Sequence, residues 1–299
     1  MWQTSLWEDT ERVVNVANVP QRSPFRYPGG KTWLIPRIRQ WLGSLPSRCQ
    51  LLIEPFAGGG IVSLTAAAER LSDHVIMVEL DEQIASVWQT IIHDTDGPEW
   101  MADKIMSFAI TLEPVKEELA QQYESKREKA FQAILKNRVN RGGIMAPGAG
   151  LVKTGEAGKG LLSRWYPATL CRRIMDIKRY RDRITFIQGD GLPIVQQYAL
   201  NTNNSFFIDP PYTASKKQAG SRLYTYSQID HDSLFSICDQ LKGEFLMTYD
   251  NADEVDSLAH HYNFQTQTIA MKNTHHARMT ELLISKNLNW LTMPNNRQS

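Results

Sequence analysis

Between residues 51 and 80 the chain runs apolar, glycine-rich, alanine-rich and apolar again, an order with few folding solutions. Leu51 to Glu54 and Val75 to Leu80 have the length and composition of buried strands, and Ile61 to Arg70 between them has the composition of a helix. Strand, tight turn, helix, strand is a βαβ unit, whose parallel strands need helices on both faces. Three later apolar runs, Ser205 to Ile208, Glu244 to Thr248 and Glu281 to Ser285, read as further buried strands. A parallel α/β architecture is therefore expected. With 299 residues, 42% of them hydrophobic, the chain can fill one large or two modest domains.

Residues 97 to 185 interrupt that pattern. Met101 to Asn137 is helical in periodicity and rich in Lys and Glu, and seven glycines (142, 143, 148, 150, 155, 158 and 160) then crowd a short loop stretch. The formal net charge of +1 hides an asymmetry: Lys136 to Arg183 holds twelve Lys or Arg against three acids, so the remainder is acidic. A basic middle in an acidic body suggests a segment for polyanions. The expected division is an N-terminal extension over 1–20, a main domain over 21–96 and 186–299, and a mainly helical, basic insert over 97–185.

The glycine motif Glu54-Pro55-Phe56-Ala57-Gly58-Gly59-Gly60 closes one predicted strand and opens the helix, where small residues let the backbone turn sharply and approach a ligand. The next strand ends at Glu79, an acid placed to accept from a ribose diol. These two features suit several nucleotide-type ligands. Asp209-Pro210-Pro211-Tyr212, following the run Ser205 to Ile208, narrows the choice: an acid, two rigid prolines and an aromatic make a stiff corner at the strand edge where α/β ligands bind. Its chemistry suits an amino group on an aromatic ring, whose lone pair is delocalised until acceptors hold its hydrogens. Asp209 and the Pro210 carbonyl can accept those hydrogens, and Tyr212 can stack on an extruded base.

With Arg26-Tyr27-Pro28-Gly29-Gly30-Lys31 near its start, then the glycine loop, the basic insert and DPPY in that order, the sequence resembles the Dam-like group of DNA adenine-N6 methyltransferases over about residues 22 to 290. The resemblance implies a Rossmann-like S-adenosylmethionine-dependent methyltransferase fold with an inserted target-recognition domain. It implies S-adenosylmethionine as cofactor, held by Tyr27, Lys31, Glu54, Phe56, Gly58, Gly60, Glu79, Asp190 and Asp209. It makes Asp209, Pro210 and Tyr212 catalytic. Arg26, Tyr27 and Glu79 depart from the family's usual lysine, tryptophan and aspartate, and the stretch around Asn137 to Gly143 does not match the hairpin by which Dam reads GATC.

In the insert, Arg138, Arg141, Lys153, Lys159, Arg164, Arg172 and Arg173 can neutralise phosphates, while Asn137, Asn140 and Arg141 have donors that read purine edges. Trp165 is expected to pack internally, and the adjacent His275 and His276 read as surface residues. Double-stranded DNA is the expected partner, acted on by a monomer, with a cognate restriction endonuclease as a further partner. A methyl acceptor at cytosine N4 or in RNA is the alternative, and a catalytically silent DNA-binding relative is another. No apolar run of membrane length, no secretory signal pattern and only three widely spaced cysteines suggest a reducing cytoplasm, in a bacterium, phage or mobile element, and no metal site.

Overall fold

The computed structural model describes residues 16–26, 30–146, 148–211, 229–272 and 278–292. Among these, seven strands form one sheet: β1 (Cys49–Glu54), β2 (Ser72–Glu79), β3 (Ile184–Gln188), β4 (Asn204–Ile208), β5 (Glu244–Asp250), β6 (Gln265–Lys272) and β7 (Arg278–Ser285), in the order β3-β2-β1-β4-β5-β7-β6. The first five strands are paired in parallel, and β7 runs antiparallel between β5 and β6. This is a Rossmann-like α/β sheet. The expected parallel α/β architecture holds through five strands, and β7 departs from it, because only five residues separate it from β6 and a parallel crossover needs a dozen or more. Neither β3 nor β6 was anticipated.

Alternation along the central strands divides the core in two. Leu52, Val75, Met77 and Phe207 face one layer of helices, while Ile53, Ile76, Val78, Phe206 and Ile208 face the other. The second layer is α8 (Gly191–Tyr198), α9 (His231–Gln240) and α10 (Asp253–His261). The first contains α1 (Ile35–Ser44), α2 (Ile61–Glu69) and α3 (Glu82–Trp88). Residues 61 to 67 of α2 are all buried, which explains a helix that is apolar on nearly every side. Each large side chain so buried contributes roughly 1.5–3 kcal/mol.

Between β2 and β3 the chain forms α4 (Gly97–Ser107), α5 (Leu112–Ala120), α6 (Lys126–Val139) and α7 (Pro167–Lys178), so the single helical stretch read from the sequence is three helices followed by a fourth. Phe131, Ile134, Leu135, Met101 and Ile174 belong to the same hydrophobic cluster as Val62, Trp88 and Leu246, and the insert helices thus share the core of one sheet face. Trp165, 6% exposed, packs 6.3 Å from Phe108. Beyond α6, Asn140 and Leu151 form an antiparallel bridge that closes residues 141–150 into an excursion. Arg141 N–H donates to the Gly150 carbonyl at 3.0 Å and Val152 N–H to the Val139 carbonyl at 2.8 Å.

This packing corrects three expected base- or phosphate-contacting residues. Asn137 is fully buried; its Oδ1 accepts from Arg26 N–H at 2.8 Å, and its Nδ2 donates to the carbonyls of Arg26 (2.9 Å) and Gly143 (2.8 Å). Arg138 is buried and donates to the Pro24 carbonyl, and Asn140 donates to the Ile144 carbonyl at 2.9 Å. Their groups are committed inside the protein, Asn137 and Arg138 stitching α6 to residues 24–26 and Asn140 holding the turn that follows α6. Arg141, Lys153 and Lys159 are exposed, and Arg164 is half-buried. Replacing Asn137 by alanine leaves buried backbone groups of Arg26 and Gly143 unpaired, each worth roughly 1–3 kcal/mol. A denaturant titration is therefore expected to show a loss of several kcal/mol; an unchanged midpoint would contradict the internal role.

Candidate active site

The chain leaves β1 toward β2 and β3 on one side and returns to β4 on the other, so the sheet has its switch point between β1 and β4. Glu54 ends β1 and the glycine loop follows it, Asp209 follows β4, and Glu79 ends β2, so all lie at the same carboxyl edge. The loop is tied down from several directions. Ala57 N–H donates to the Val78 carbonyl (2.9 Å), Gly58 N–H to Glu79 Oε2 (2.8 Å), and the Trp88 indole N–H to the Gly58 carbonyl (2.9 Å). Gly60 adopts φ +62°, and a Cβ there would come within 2.5 Å of Met77 and 3.2 Å of Trp88, so only glycine turns the chain into α2 this close to the core.

Two carboxylates beneath and beside this loop are perturbed by burial. Glu54 is 3% exposed and its Oε2 accepts from Ser63 N–H at 2.9 Å, holding the first turn of α2; its pKa is raised to about 8, chiefly by desolvation. Glu79 accepts from Gly58 N–H and from Asp81 N–H (2.8 Å), yet desolvation still raises its pKa to about 7. Asp190 caps α8, accepting from Leu192 N–H at 3.0 Å. Beside it Gly191 is pressed so closely on the loop that a Cβ would lie 2.2 Å from the Pro55 carbonyl oxygen. Phe56 is half-buried at the rim of the second core cluster.

Asp209 Oδ1 accepts from the Thr248 hydroxyl at 2.7 Å and lies 3.0 Å from Lys31 Nζ. Lys31, 3% exposed, also pairs with Glu281 Oε1 at 3.3 Å. Glu281, on β7 opposite Asp250 of β5, is 2% exposed, and its Oε2 is buried with no hydrogen-bond partner among the described residues. Burial raises the pKa of Glu281, Lys31 opposes the rise and Asp209 adds to it; Asp250 is raised by the same causes in the same order. Lys31, expected at the cofactor, is thus engaged by two carboxylates. Thr248 and Glu281 were missed in the sequence, although an acid inside the apolar run of β7 is a signal, since acids are seldom buried unless paired. Pro210 is buried behind Asp209, and Tyr27, Tyr212, His275 and His276 lie outside the described residues.

The sheet is Rossmann-like, and the site lies at its switch point, where such folds take nucleotide-type ligands. Residues 27–138 match the family model described as D12 class N6 adenine-specific DNA methyltransferase, which supports the Dam-like resemblance and, with it, S-adenosylmethionine as the methyl donor. No curated protein sequence matches the chain. Similar solved structures include the rRNA methyltransferase aviRa from Streptomyces viridochromogenes (12% identity, 93% of this chain and 92% of that one, TM-score 0.39). Others are a precorrin-6y C5,15-methyltransferase from Geobacter metallireducens (8%, 85% and 86%, 0.35) and spermidine synthase from Thermotoga maritima (10%, 85% and 57%, 0.35). At TM-scores below 0.4 these likenesses decide nothing beyond what the sheet order itself establishes. The residues present fit S-adenosylmethionine: left-handed glycines at 58 and 60 bring backbone to the switch point, and a carboxylate ends β2 where a ribose diol needs an acceptor.

Because burial lifts the pKa values of Glu54 and Glu79 in the folded protein above the ordinary glutamate value of 4.5, the neutral carboxyls stabilise the fold fully below about pH 4.5. That contribution is lost as pH rises through about 7 and 8. Thermal melts of the cofactor-free protein are expected to fall over this window by an amount on the order of a few kcal/mol. Glu54→Gln keeps an acceptor for Ser63 and removes one titration, so its melting temperature is expected to fall less between pH 5 and pH 8.5. A slope equal to the parent's would show that Glu54 does not titrate there.

Proposed function

We propose that the chain transfers a methyl group to the N6 amino group of an adenine rotated out of duplex DNA, at a specific sequence. The observation that carries this reading is Asp209, held at the mouth of β4 by Thr248 at 2.7 Å and Lys31 at 3.0 Å, one strand from the glycine loop. The match of residues 27–138 to an adenine-N6 family supports it. An exocyclic amine is a weak nucleophile because its lone pair is delocalised into the ring. A carboxylate and the Pro210 carbonyl, fixed as acceptors of its two hydrogens, return that pair to nitrogen at no reorganisation cost. After transfer one of those hydrogens leaves as a proton, and Asp209 is placed to receive or relay it.

S-adenosylmethionine, when bound, supplies the electrophilic methyl group. Glu79 accepts from its ribose hydroxyls, Gly58 and Gly60 give it close backbone contact, and Phe56 and Tyr27 offer apolar surface. Asp190, at the start of α8, borders the same edge, while Glu54 and Lys31 hold the loop and Asp209 in place. Tyr212 stacks on the extruded base. Residues 97–185 form the recognition part, with Arg141, Lys153, Lys159 and Arg164 meeting DNA phosphates or base edges. The chain acts as a monomer in a bacterial-type cytoplasm, with a partner restriction endonuclease where it serves restriction and modification.

Asp209→Asn is the test, because Lys31 keeps its pairing with Glu281 in that variant and the fold is retained. Losing one preorganised charged acceptor typically costs about 100- to 1000-fold in the chemical step. Single-turnover methylation of DNA, with product nucleosides identified by mass, is expected to show N6-methyladenine from the parent and that loss in the variant, with DNA affinity unchanged. A near-parental rate, or product formed on cytosine or in RNA instead, would refute the assignment.

A further inference from the structure

A second cavity lies away from the catalytic edge. Its volume is about 230 Å3, and Gln21, Arg22, Thr169, Arg172, Arg173 and Tyr180 line it together with Asp176. Arg22 is anchored on Glu69 at the end of α2 (3.0 Å), and Tyr180 lies four residues before the start of β3 at Ile184. The cavity therefore sits at the amino-terminal edge of the sheet, opposite Glu54, Glu79 and Asp209.

The lining is rich in donors and poor in acceptors. Tyr180 is 8% exposed; the Arg22 guanidinium beside it can only donate to its hydroxyl, whose own proton has no acceptor among the described residues. Arg22 Nε is likewise buried and unpartnered. Arg173 uses one nitrogen on the Ser23 carbonyl at 3.0 Å, and the nearby Arg172 charge repels it. The one carboxylate of the lining, Asp176, is shared with Arg179 at 3.4 Å. Three guanidiniums and a buried phenol thus converge on a space lacking the acceptor they require, and stranded buried donors are costly. An anion with several oxygens satisfies all of them at once, and arginine forks match phosphate geometry. The volume exceeds the roughly 30 Å3 share of one water several-fold, leaving room for a phosphoryl group with its hydration.

We propose that this cavity binds a phosphate group, distinct from the catalytic site, through Arg22, Arg172, Arg173 and the Tyr180 hydroxyl. The phosphate belongs either to a free phosphorylated small molecule or to the backbone of DNA. Two mild variants test it: Arg172→Ala removes an exposed charge, and Tyr180→Phe removes only a hydroxyl. Inorganic phosphate is titrated in chloride buffer of constant ionic strength and followed by calorimetry and thermal melting. Saturable binding is expected, with a melting temperature that climbs with phosphate, and each variant is expected to weaken it about 3- to 30-fold. Without phosphate, Tyr180→Phe is expected to melt no lower than the parent, because it removes an unsatisfied group.

The same variants separate the two sources. If both lower duplex DNA affinity and phosphate displaces the duplex, the backbone is the ligand. If DNA affinity is unchanged while phosphate binding is lost, the ligand is a free phosphorylated molecule. Absence of saturable phosphate binding in the parent, or parental phosphate affinity in both variants, overturns the proposal. None of these readouts depends on methyl transfer.

Discussion

The catalytic edge hangs on one buried cation. Lys31 stands between Asp209 and Glu281, at 3.0 and 3.3 Å, in surroundings that leave it 3% exposed. An ion pair in that position gains little over an apolar pair, but removing Lys31 strands the buried Glu281 carboxylate, at a cost of several kcal/mol. The contact draws together a segment ahead of β1, the end of β4 and the middle of β7, parts of the chain separated by as many as 250 residues. Asp209 is held by this junction and by Thr248 of β5, so the orientation of one carboxylate reports on the assembly of the whole carboxyl edge.

A second junction links the glycine loop to the insert. The buried Trp88 donates to the Gly58 carbonyl from α3, and α3 is covered by α6. Asn137 and Arg138 of α6 in turn hold the backbone of residues 24 and 26, just ahead of Lys31. Loop, insert and the segment at residues 24–26 are therefore tied together through α3 and α6.

Much of this was legible in the sequence. Both elements flanking the glycine loop, the helix after it and the strand before Asp209 were placed within a few residues, because buried parallel strands read as unbroken apolar runs. The strands that escaped were edge elements: β3 and β6 carry polar residues such as Thr185, Gln188, Gln265 and Gln267 among their apolar ones, which blurs the signal. The role of Glu281 was invisible because its partner lies 250 residues away. Asn137, Arg138 and Asn140 misled for a different reason. Composition marked a basic helix end but not which of its faces turns inward, and here the polar groups are the ones that fasten it.

The bridge between Asn140 and Leu151 has a consequence for how such a chain can change over time. Because the two ends of the excursion meet in hydrogen bonds to each other, its exposed far side at residues 148–150 can be lengthened or exchanged while α6 keeps its seat. The segment is modular in the literal sense. Variation on that far side is uncoupled from the stability of the fold, whereas Gly143 and Ile144 accept from Asn137 and Asn140 and Met145 lies in the core.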